Sequence, residues 1–168
     1  KRSVLLVGFD AEEKGLLGSK YFVEKPTLPL TQIKTMINMD MIGRVKDSVV
    51  NIGGVGTSPV FRPLMDSLKF IHPLTLTLSD AGLGPSDHAS FYTKEIPVLF
   101  FFSGFHDEYH TPEDTWKKIN LRGEKDILDL VYDIVYNLSR LKNAPSFSAT
   151  SPMKLIRQLF YLHKTNQV

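Results

Sequence analysis

The sequence predicts an α/β domain built as a three-layer sandwich, with a mostly parallel central sheet flanked by helices. Short apolar runs alternate with amphipathic segments along the chain, and this alternation is typical of parallel strands joined by helical crossovers. The chain has 168 residues, enough for one sizeable core. Its 42% hydrophobic and 23% charged residues are typical of a globular domain and argue against disorder.

Five apolar runs are predicted to be strands. The first, at residues 4–9, is continuously apolar, as expected of a strand that is covered on both faces. The others lie at residues 34–39, 48–52, 74–78 and 96–102. The run at 96–102 is the most apolar of the five, so we expect it to lie centrally in the sheet.

Helices are predicted between these strands. Helical spacing runs from residue 12 to residue 24 and is ended by Pro26 and Pro29. Further helices are expected at 59–70, at 86–92 as a short helix, and at 123–141 as a clear amphipathic helix. A long polar loop at 104–120 separates the last strand from the last helix, and loops of that length are usually functional.

The end of the chain is predicted to be separate from this domain. Residues 143–152 are rich in Ser, Pro and Ala, and residues 153–162 form a basic, apolar stretch that suits a terminal helix. The predicted organisation is therefore a domain at 1–143, followed by a linker and C-terminal helical extension at 144–168.

Composition excludes several classes of function. The net charge is only +2 and no basic stripe is present, so nucleic acid is not an expected partner. No apolar run approaches the roughly 18 residues that span a bilayer. The sequence has no cysteine, so any metal must be held by His, Asp and Glu, the ligands that catalytic zinc sites favour.

The run Asp10-Ala11-Glu12-Glu13 follows the first predicted strand and has two interpretations. In the structural one, Asp10 caps the following helix and Glu13 completes a capping box. In the functional one, the end of the strand presents two adjacent carboxylates, of which one ligates a metal and the other acts as a general base.

Two more polar runs follow predicted strands, at residues 38–44 (NMDMIGR) and 105–115 (FHDEYHTPEDT). Each of them, taken alone, is also consistent with a turn or a solvated loop. The carboxyl ends of parallel strands meet at one edge of a sheet, which is where open α/β folds bind ligands. The three runs together therefore favour a zinc site at that edge.

Four runs in order resemble the zinc aminopeptidases of family M28. They are VGFDAEEKGLLGS at 7–19, NMDMIG at 38–43, SDHASF at 86–91 and YHTPEDT at 109–115. The resemblance extends to residue 141 and corresponds to the C-terminal two-thirds of that family's catalytic domain. It implies a zinc-exopeptidase-like fold whose N-terminal part is missing from this sequence.

The resemblance also implies a role for each matching residue. Glu12 would be the general base, and Tyr109 would donate a hydrogen bond to the oxyanion of the tetrahedral intermediate. The implied metal ligands are Glu13 and His110 for one zinc and Asp40 for a second. Met41 and Asp87 would lie at the substrate pocket. A capping role for Ser86 in the following helix is the alternative for its run.

The family's site needs two further ligands, a His from an H-x-D run and a bridging Asp, which lie upstream of the opening strand. Each zinc would keep only part of its shell, so we expect partial or absent zinc and no aminopeptidase activity in this chain alone. The parent protein would cleave N-terminal residues from peptides and be secreted or periplasmic. Apolar surface and a sheet edge uncovered by the missing part predict self-association, with exchange of the C-terminal segment beyond Pro152 as one route.

Two alternatives remain within this fold. One is an enzyme similar to glutaminyl cyclases, which use a single zinc held by Asp, Glu and His. The other is a noncatalytic binding or oligomerisation domain on a peptidase-like scaffold. The paired acidic run and the Tyr-His-Thr-Pro run favour a peptidase over a cyclase. Noncatalytic relatives typically lose metal ligands, so the presence of Glu12, Glu13, Asp40 and His110 argues against the second alternative.

Overall fold

A computed structural model describes residues 1–150 of the protein, and it contains one four-stranded mixed sheet. The strands are β1 (Met36–Asp40), β2 (Val49–Gly53), β3 (Thr75–Leu78) and β4 (Val98–Phe102). All four coincide with predicted strands. The helix predicted at 153–162 lies outside the described residues.

The strands are arranged in the order β1-β4-β2-β3. β1 pairs with β4 and β2 pairs with β3 in parallel, whereas β2 and β4 pair antiparallel. The interior position predicted for the most apolar strand is confirmed. One consequence is directional: the carboxyl ends of β1 and β4 lie at one edge of the sheet, and those of β2 and β3 lie at the opposite edge.

Helices cover both faces of the sheet, as a three-layer sandwich requires. They are α1 (Leu17–Glu24), α2 (Phe61–Leu68), α3 (His88–Tyr92) and α4 (Leu121–Arg140). The larger core cluster joins α2 and α4 to one face through buried residues such as Phe61, Phe101 and Ile127. A second cluster joins α1 and α3 to the other face and includes Val23 and Phe91. None of these helices, in the part of the chain described, has the length and apolarity to cross a membrane.

The first predicted strand is wrong, because residues 4–9 have no regular secondary structure. The backbone N–H of Arg2 donates to the carbonyl of Ser139, but within residues 1–150 no strand pairs with residues 4–9. An apolar run becomes a strand only where a neighbour accepts its backbone hydrogen bonds. Leu6 is consequently 87% exposed, and the side chains of Val4, Leu5 and Val7 are exposed with it.

The helix predicted at 12–24 is divided into two parts. Residues Glu12–Lys14 form a single 3-10 turn, and α1 begins only at Leu17. Gly15 and Leu16 between them have left-handed backbones, with φ of 96° and 62°. Periodicity could not reveal this break, because the apolar spacing continues across it.

Candidate metal and catalytic site

The candidate site lies at the edge of the sheet where β1 and β4 end. Asp40 is the last residue of β1 and is in register with Phe102, the last residue of β4. After β4 the chain enters the long loop at residues 103–120. The start of this loop therefore lies beside Asp40. The edge predicted from the sequence is therefore shared by two of the three polar runs.

The third polar run reaches the same place through Glu13. Its carboxylate Oε1 lies 2.7 Å from Nε2 of His110, and the two side chains are 65% and 55% exposed. The ring of Tyr109 stacks on the His110 ring with a centroid distance of 3.8 Å. The structure thus brings together the two residues that the family resemblance assigned to one metal.

The capping box considered for this run is absent. Asp10 accepts a hydrogen bond from the N–H of Ala11 at 2.7 Å, and no side chain caps the 3-10 turn that follows. Glu13 faces His110 rather than the backbone of residue 10. The acidic run is therefore oriented toward the loop, as the functional interpretation requires.

Glu12 lies within electrostatic range of the other acidic residues of the site. Its pKa is raised, first by burial and then by the negative charges of Asp40, Glu13 and Asp87. A carboxylate with a raised pKa is better suited to accept and release a proton than an ordinary surface one.

Tyr109 is affected by the same charges. Its pKa is raised, first by burial and then by Glu13, Asp40 and Glu12, so the phenol keeps its proton at neutral pH. A protonated phenol beside this cluster can donate a hydrogen bond.

Asp40 is held by a short chain of hydrogen bonds. The Ser86 hydroxyl donates to Asp40 Oδ2 at 2.9 Å and accepts from the Asn38 amide at 2.7 Å. Ser86 and Asn38 are both buried. Ser86 therefore holds the Asp40 carboxylate. The alternative prediction, that Ser86 caps the following helix, is wrong, because α3 has no side-chain cap.

The two predicted substrate-pocket residues flank Asp40. Met41 follows it with a left-handed backbone, φ 55°, and its carbonyl accepts a hydrogen bond from the Ser103 hydroxyl. Asp87 is buried, and its Oδ1 has no hydrogen-bond partner in residues 1–150. Burial raises the pKa of Asp87, and the Ser19 hydroxyl opposes this rise. Their roles toward a substrate stay predictions.

The donor set fits zinc in type but is too small for two ions. Carboxylates and an imidazole are ligands that catalytic zinc takes, usually three from the protein with one open position. Among residues 1–150, however, no group of three or more His, Asp or Glu is arranged to hold a metal ion. Glu13 and His110 converge as a pair, and no third His, Asp or Glu of residues 1–150 completes a metal site with them.

The sequence did not predict an ion-pair cluster that lies beside the site. Arg44 donates to Glu108 Oε2 at 2.6 Å and also to Asp114, and Lys118 donates to Glu108 Oε1 at 2.7 Å. The His106 ring lies between the two carboxylates, 3.3 Å from Glu108 and 3.5 Å from Asp114. Hydrogen bonds from Lys118 and then Arg44 lower the pKa of Glu108 to about 2. The only signal in the sequence was the density of charges in the loop.

Comparison with known proteins settles the family. A sequence model of peptidase family M28 matches residues 1–135. The chain belongs to peptidase family M28. Aminopeptidase YwaD of Bacillus subtilis is 27% identical over 155 residues, and leucine aminopeptidase 1 of Uncinocarpus reesii is 28% identical over 144.

Solved structures agree with this assignment. A zinc aminopeptidase from Bacillus subtilis superimposes on this M28 chain with a TM-score of 0.67 at 27% identity, covering 86% of this chain. The match covers 38% of that structure, and the two sequence matches cover 34% and 36% of the relatives, against 86% and 76% of this chain. The M28 chain thus spans about a third of the length of these relatives.

Proposed function

We propose that the residues at this edge are part of the active site of a zinc-dependent aminopeptidase, which removes N-terminal residues from peptides in the parent protein. The observation that carries the proposal is the 2.7 Å contact between Glu13 and His110. It joins segments 97 residues apart, next to Glu12 and on the edge where Asp40 ends β1. The named relatives, which are aminopeptidases, support the same activity.

The proposed roles follow from the chemistry of the side chains. Glu13 and His110 would hold one zinc, and Asp40 would contribute to a second. Zinc supplies Lewis-acid activation of water and of the scissile carbonyl. Glu12 takes the proton from the attacking water and returns it to the leaving amine, a transfer that its raised pKa favours. The Tyr109 phenol donates to the oxyanion, and Met41 and Asp87 border the substrate's N-terminal residue.

We further propose that the 168-residue chain alone is inactive, with the remaining ligands supplied by polypeptide outside this sequence. Two protein ligands for one zinc and one for the other are fewer than a catalytic site uses. A secreted or periplasmic location belongs to the same proposal and rests on the family resemblance. So does the division into a peptidase domain at 1–143 and a C-terminal extension at 144–168.

The first test is the zinc content per chain after dialysis against micromolar zinc, measured by plasma mass spectrometry. We expect well below one zinc per wild-type chain, and less again in His110→Ala. The control is His72→Ala, since His72 pairs with Asp133 away from the site. One tightly held zinc that survives His110→Ala would contradict the ligand assignment.

The second test is hydrolysis of leucine p-nitroanilide with zinc present. We expect no turnover by the chain alone, and activity when the parent protein is used, lost in its Glu12→Gln variant. Turnover by the 168-residue chain that Glu12→Gln abolishes would contradict the proposed inactivity. Cyclisation of a glutaminyl peptide without aminopeptidase activity in the parent would favour the cyclase alternative.

We also propose that the chain self-associates through the apolar N-terminal segment at residues 4–7. Four consecutive exposed aliphatic side chains are unusual on a monomer surface, and β1 lies at the sheet edge with no strand on its outer side in residues 1–150. Met39 on β1 is exposed as well.

A further inference from the structure

The loop that carries Tyr109 and His110 is tied to the short segment immediately after Asp40. At the start of the loop, the Ser103 hydroxyl donates to the carbonyl of Met41. At its end, the Asn120 N–H donates to the carbonyl of Gly43 at 2.8 Å, and the Asn120 side chain donates to that of Val45 at 3.0 Å. Segment 41–45 therefore anchors both ends of the loop.

Arg44 ties down the middle of the loop from the same segment. Its guanidinium contacts Glu108 with one nitrogen and Asp114 with the other. These acceptors lie on either side of His110 in the sequence. The Arg44 side chain is only 15% exposed, whereas Glu108 and Asp114 are 27% and 36% exposed, so this two-pronged contact is shielded from water mainly on the Arg44 side.

The backbone at His110 needs such support. Its φ of 59° lies in the left-handed region, which costs a residue with a Cβ on the order of 1 kcal/mol. Its imidazole is 55% exposed, so apart from the stacked Tyr109 ring little packing holds the side chain. Hydrogen bonds from Thr111 N–H to the Glu108 carbonyl, and from Asp114 N–H to the Thr111 carbonyl, link the strained residue to the two carboxylates that Arg44 holds.

We propose that Arg44 is a positioning residue: by holding Glu108 and Asp114, it fixes the loop so that His110 faces Glu13. Removing its charge leaves the Glu108 and Asp114 carboxylates with Lys118 and His106 as their remaining ion-pair partners in residues 1–150, and the loop loses the contact that spans its centre. The hold on the loop is a property of this fold. Its consequence for zinc rests on the proposed function.

The test compares Arg44→Met with Arg62→Met in the full 168-residue chain. Arg62 also pairs with a carboxylate, Asp80, but on an exposed surface outside the loop, so it is a matched control. Amide hydrogen exchange is measured over 104–118, with helix α4, whose apolar face is buried in the core, as an internal reference. We expect exchange in the loop to accelerate at least ~10-fold in Arg44→Met only, with α4 unchanged in both variants.

Trp116 provides an independent readout, because it is the one tryptophan of the sequence and lies inside the loop. We expect its emission and its quenching by acrylamide to change in Arg44→Met and to stay the same in Arg62→Met. Unchanged exchange and fluorescence in Arg44→Met would overturn the proposal. These two measurements need no zinc.

Zinc titration then separates positioning from charge. Removal of a nearby positive charge should tighten Zn²⁺ binding by simple electrostatics, whereas loss of His110 positioning should weaken it by ~10-fold. We expect weakening. Tighter binding would overturn the positional role. A loosened loop with unchanged zinc affinity would keep the hold on the loop but contradict the proposed metal site.

Two conservative variants guard against misfolding. Arg44→Lys keeps the charge, but its single ammonium nitrogen cannot contact both carboxylates as the two guanidinium nitrogens do. We therefore expect an intermediate effect. Asp114→Asn weakens the same contact from the loop side and should loosen the loop without altering segment 41–45. Equal behaviour of Arg44→Lys and wild type would show that charge alone matters.

Discussion

His88 is a titratable residue whose side chain is almost completely buried. It is 1% exposed, stacks on Phe100 with a centroid distance of 4.3 Å, and its Nδ1 has no hydrogen-bond partner in residues 1–150. Burial lowers its pKa to about 4 from an ordinary value of 6.5. His88 is therefore neutral in the folded protein across the physiological range.

This burial predicts a pH dependence of stability. Between pH 6.5 and about 4 the unfolded chain binds a proton at His88 that the folded chain does not. The free energy of unfolding should therefore fall as pH drops through this window, by at most about 3 kcal/mol from this residue. Urea denaturation at pH 7 and pH 4.5 measures the change.

The matched variants are His88→Gln, which cannot titrate, and His72→Gln, which alters a second histidine, 9% exposed and paired with Asp133. We expect the fall in stability to shrink in His88→Gln and to persist in His72→Gln. The same loss between pH 7 and pH 4.5 in His88→Gln as in wild type would show that other groups cause it.

At the scale of single residues, the sequence predicted which residues come together better than it predicted the contacts around each residue. Glu13 and His110 do meet, because a resemblance between motifs carries information about distant pairing. Nothing in the local sequence showed that Arg44 would face Glu108 and Asp114, or that His88 would be buried without a partner. Both depend on how separate segments pack, which periodicity does not encode.

The junction between β2 and β4 depends on one hydroxyl. Thr57 is fully buried, and its Oγ1 accepts a hydrogen bond from the Val98 N–H at 2.9 Å. Its single proton is shared between the carbonyls of Gly54, at 2.7 Å, and Val98, at 2.9 Å. The antiparallel pairing thus ends on a side chain rather than on another backbone pair.

Thr57→Val should therefore destabilise the protein although it keeps the shape of the side chain. The buried backbone N–H and carbonyl of Val98 would lose their partner, which costs about 2–3 kcal/mol, whereas the Gly54 carbonyl would still accept from the backbone N–H of residue 57. Thr57→Ser keeps the hydroxyl and should cost less than half as much. Equal destabilisation by the two substitutions in urea denaturation would indicate that the methyl group, not the hydroxyl, matters.

At the scale of elements, all four strands of the sheet and the long helix α4 were predictable, because period and composition are strong in them. The run at residues 4–9 was not, since its composition suits a strand but its pairing depends on a partner elsewhere. The helix predicted at 12–24 failed at Gly15 and Leu16 for a related reason: a left-handed turn leaves no trace in hydrophobic spacing. The antiparallel pairing of β2 with β4 likewise depends on tertiary packing rather than on local sequence.

Across the whole molecule, the exposed segment at residues 4–7 predicts concentration-dependent association. The double variant Leu5→Glu with Leu6→Glu should sediment as a monomer at micromolar concentration, where the wild type forms larger species. The matched control is Phe70→Glu with Ile71→Glu, which charges another exposed apolar pair, 85% and 66% exposed. A monomeric wild type, or an equal effect of both double variants, would contradict the proposed interface.

The opposed directions of the strands give the sheet two separate ends. Asp40 and the loop of His110 lie at one, while Gly54 and Ser79, which follow β2 and β3, lie at the other. The sequence has no cysteine, so Ser79→Cys would introduce a unique thiol at an exposed position on the far end. A single maleimide linkage there would immobilise the protein on a sensor chip in one orientation, with the edge that carries Asp40 facing the flow.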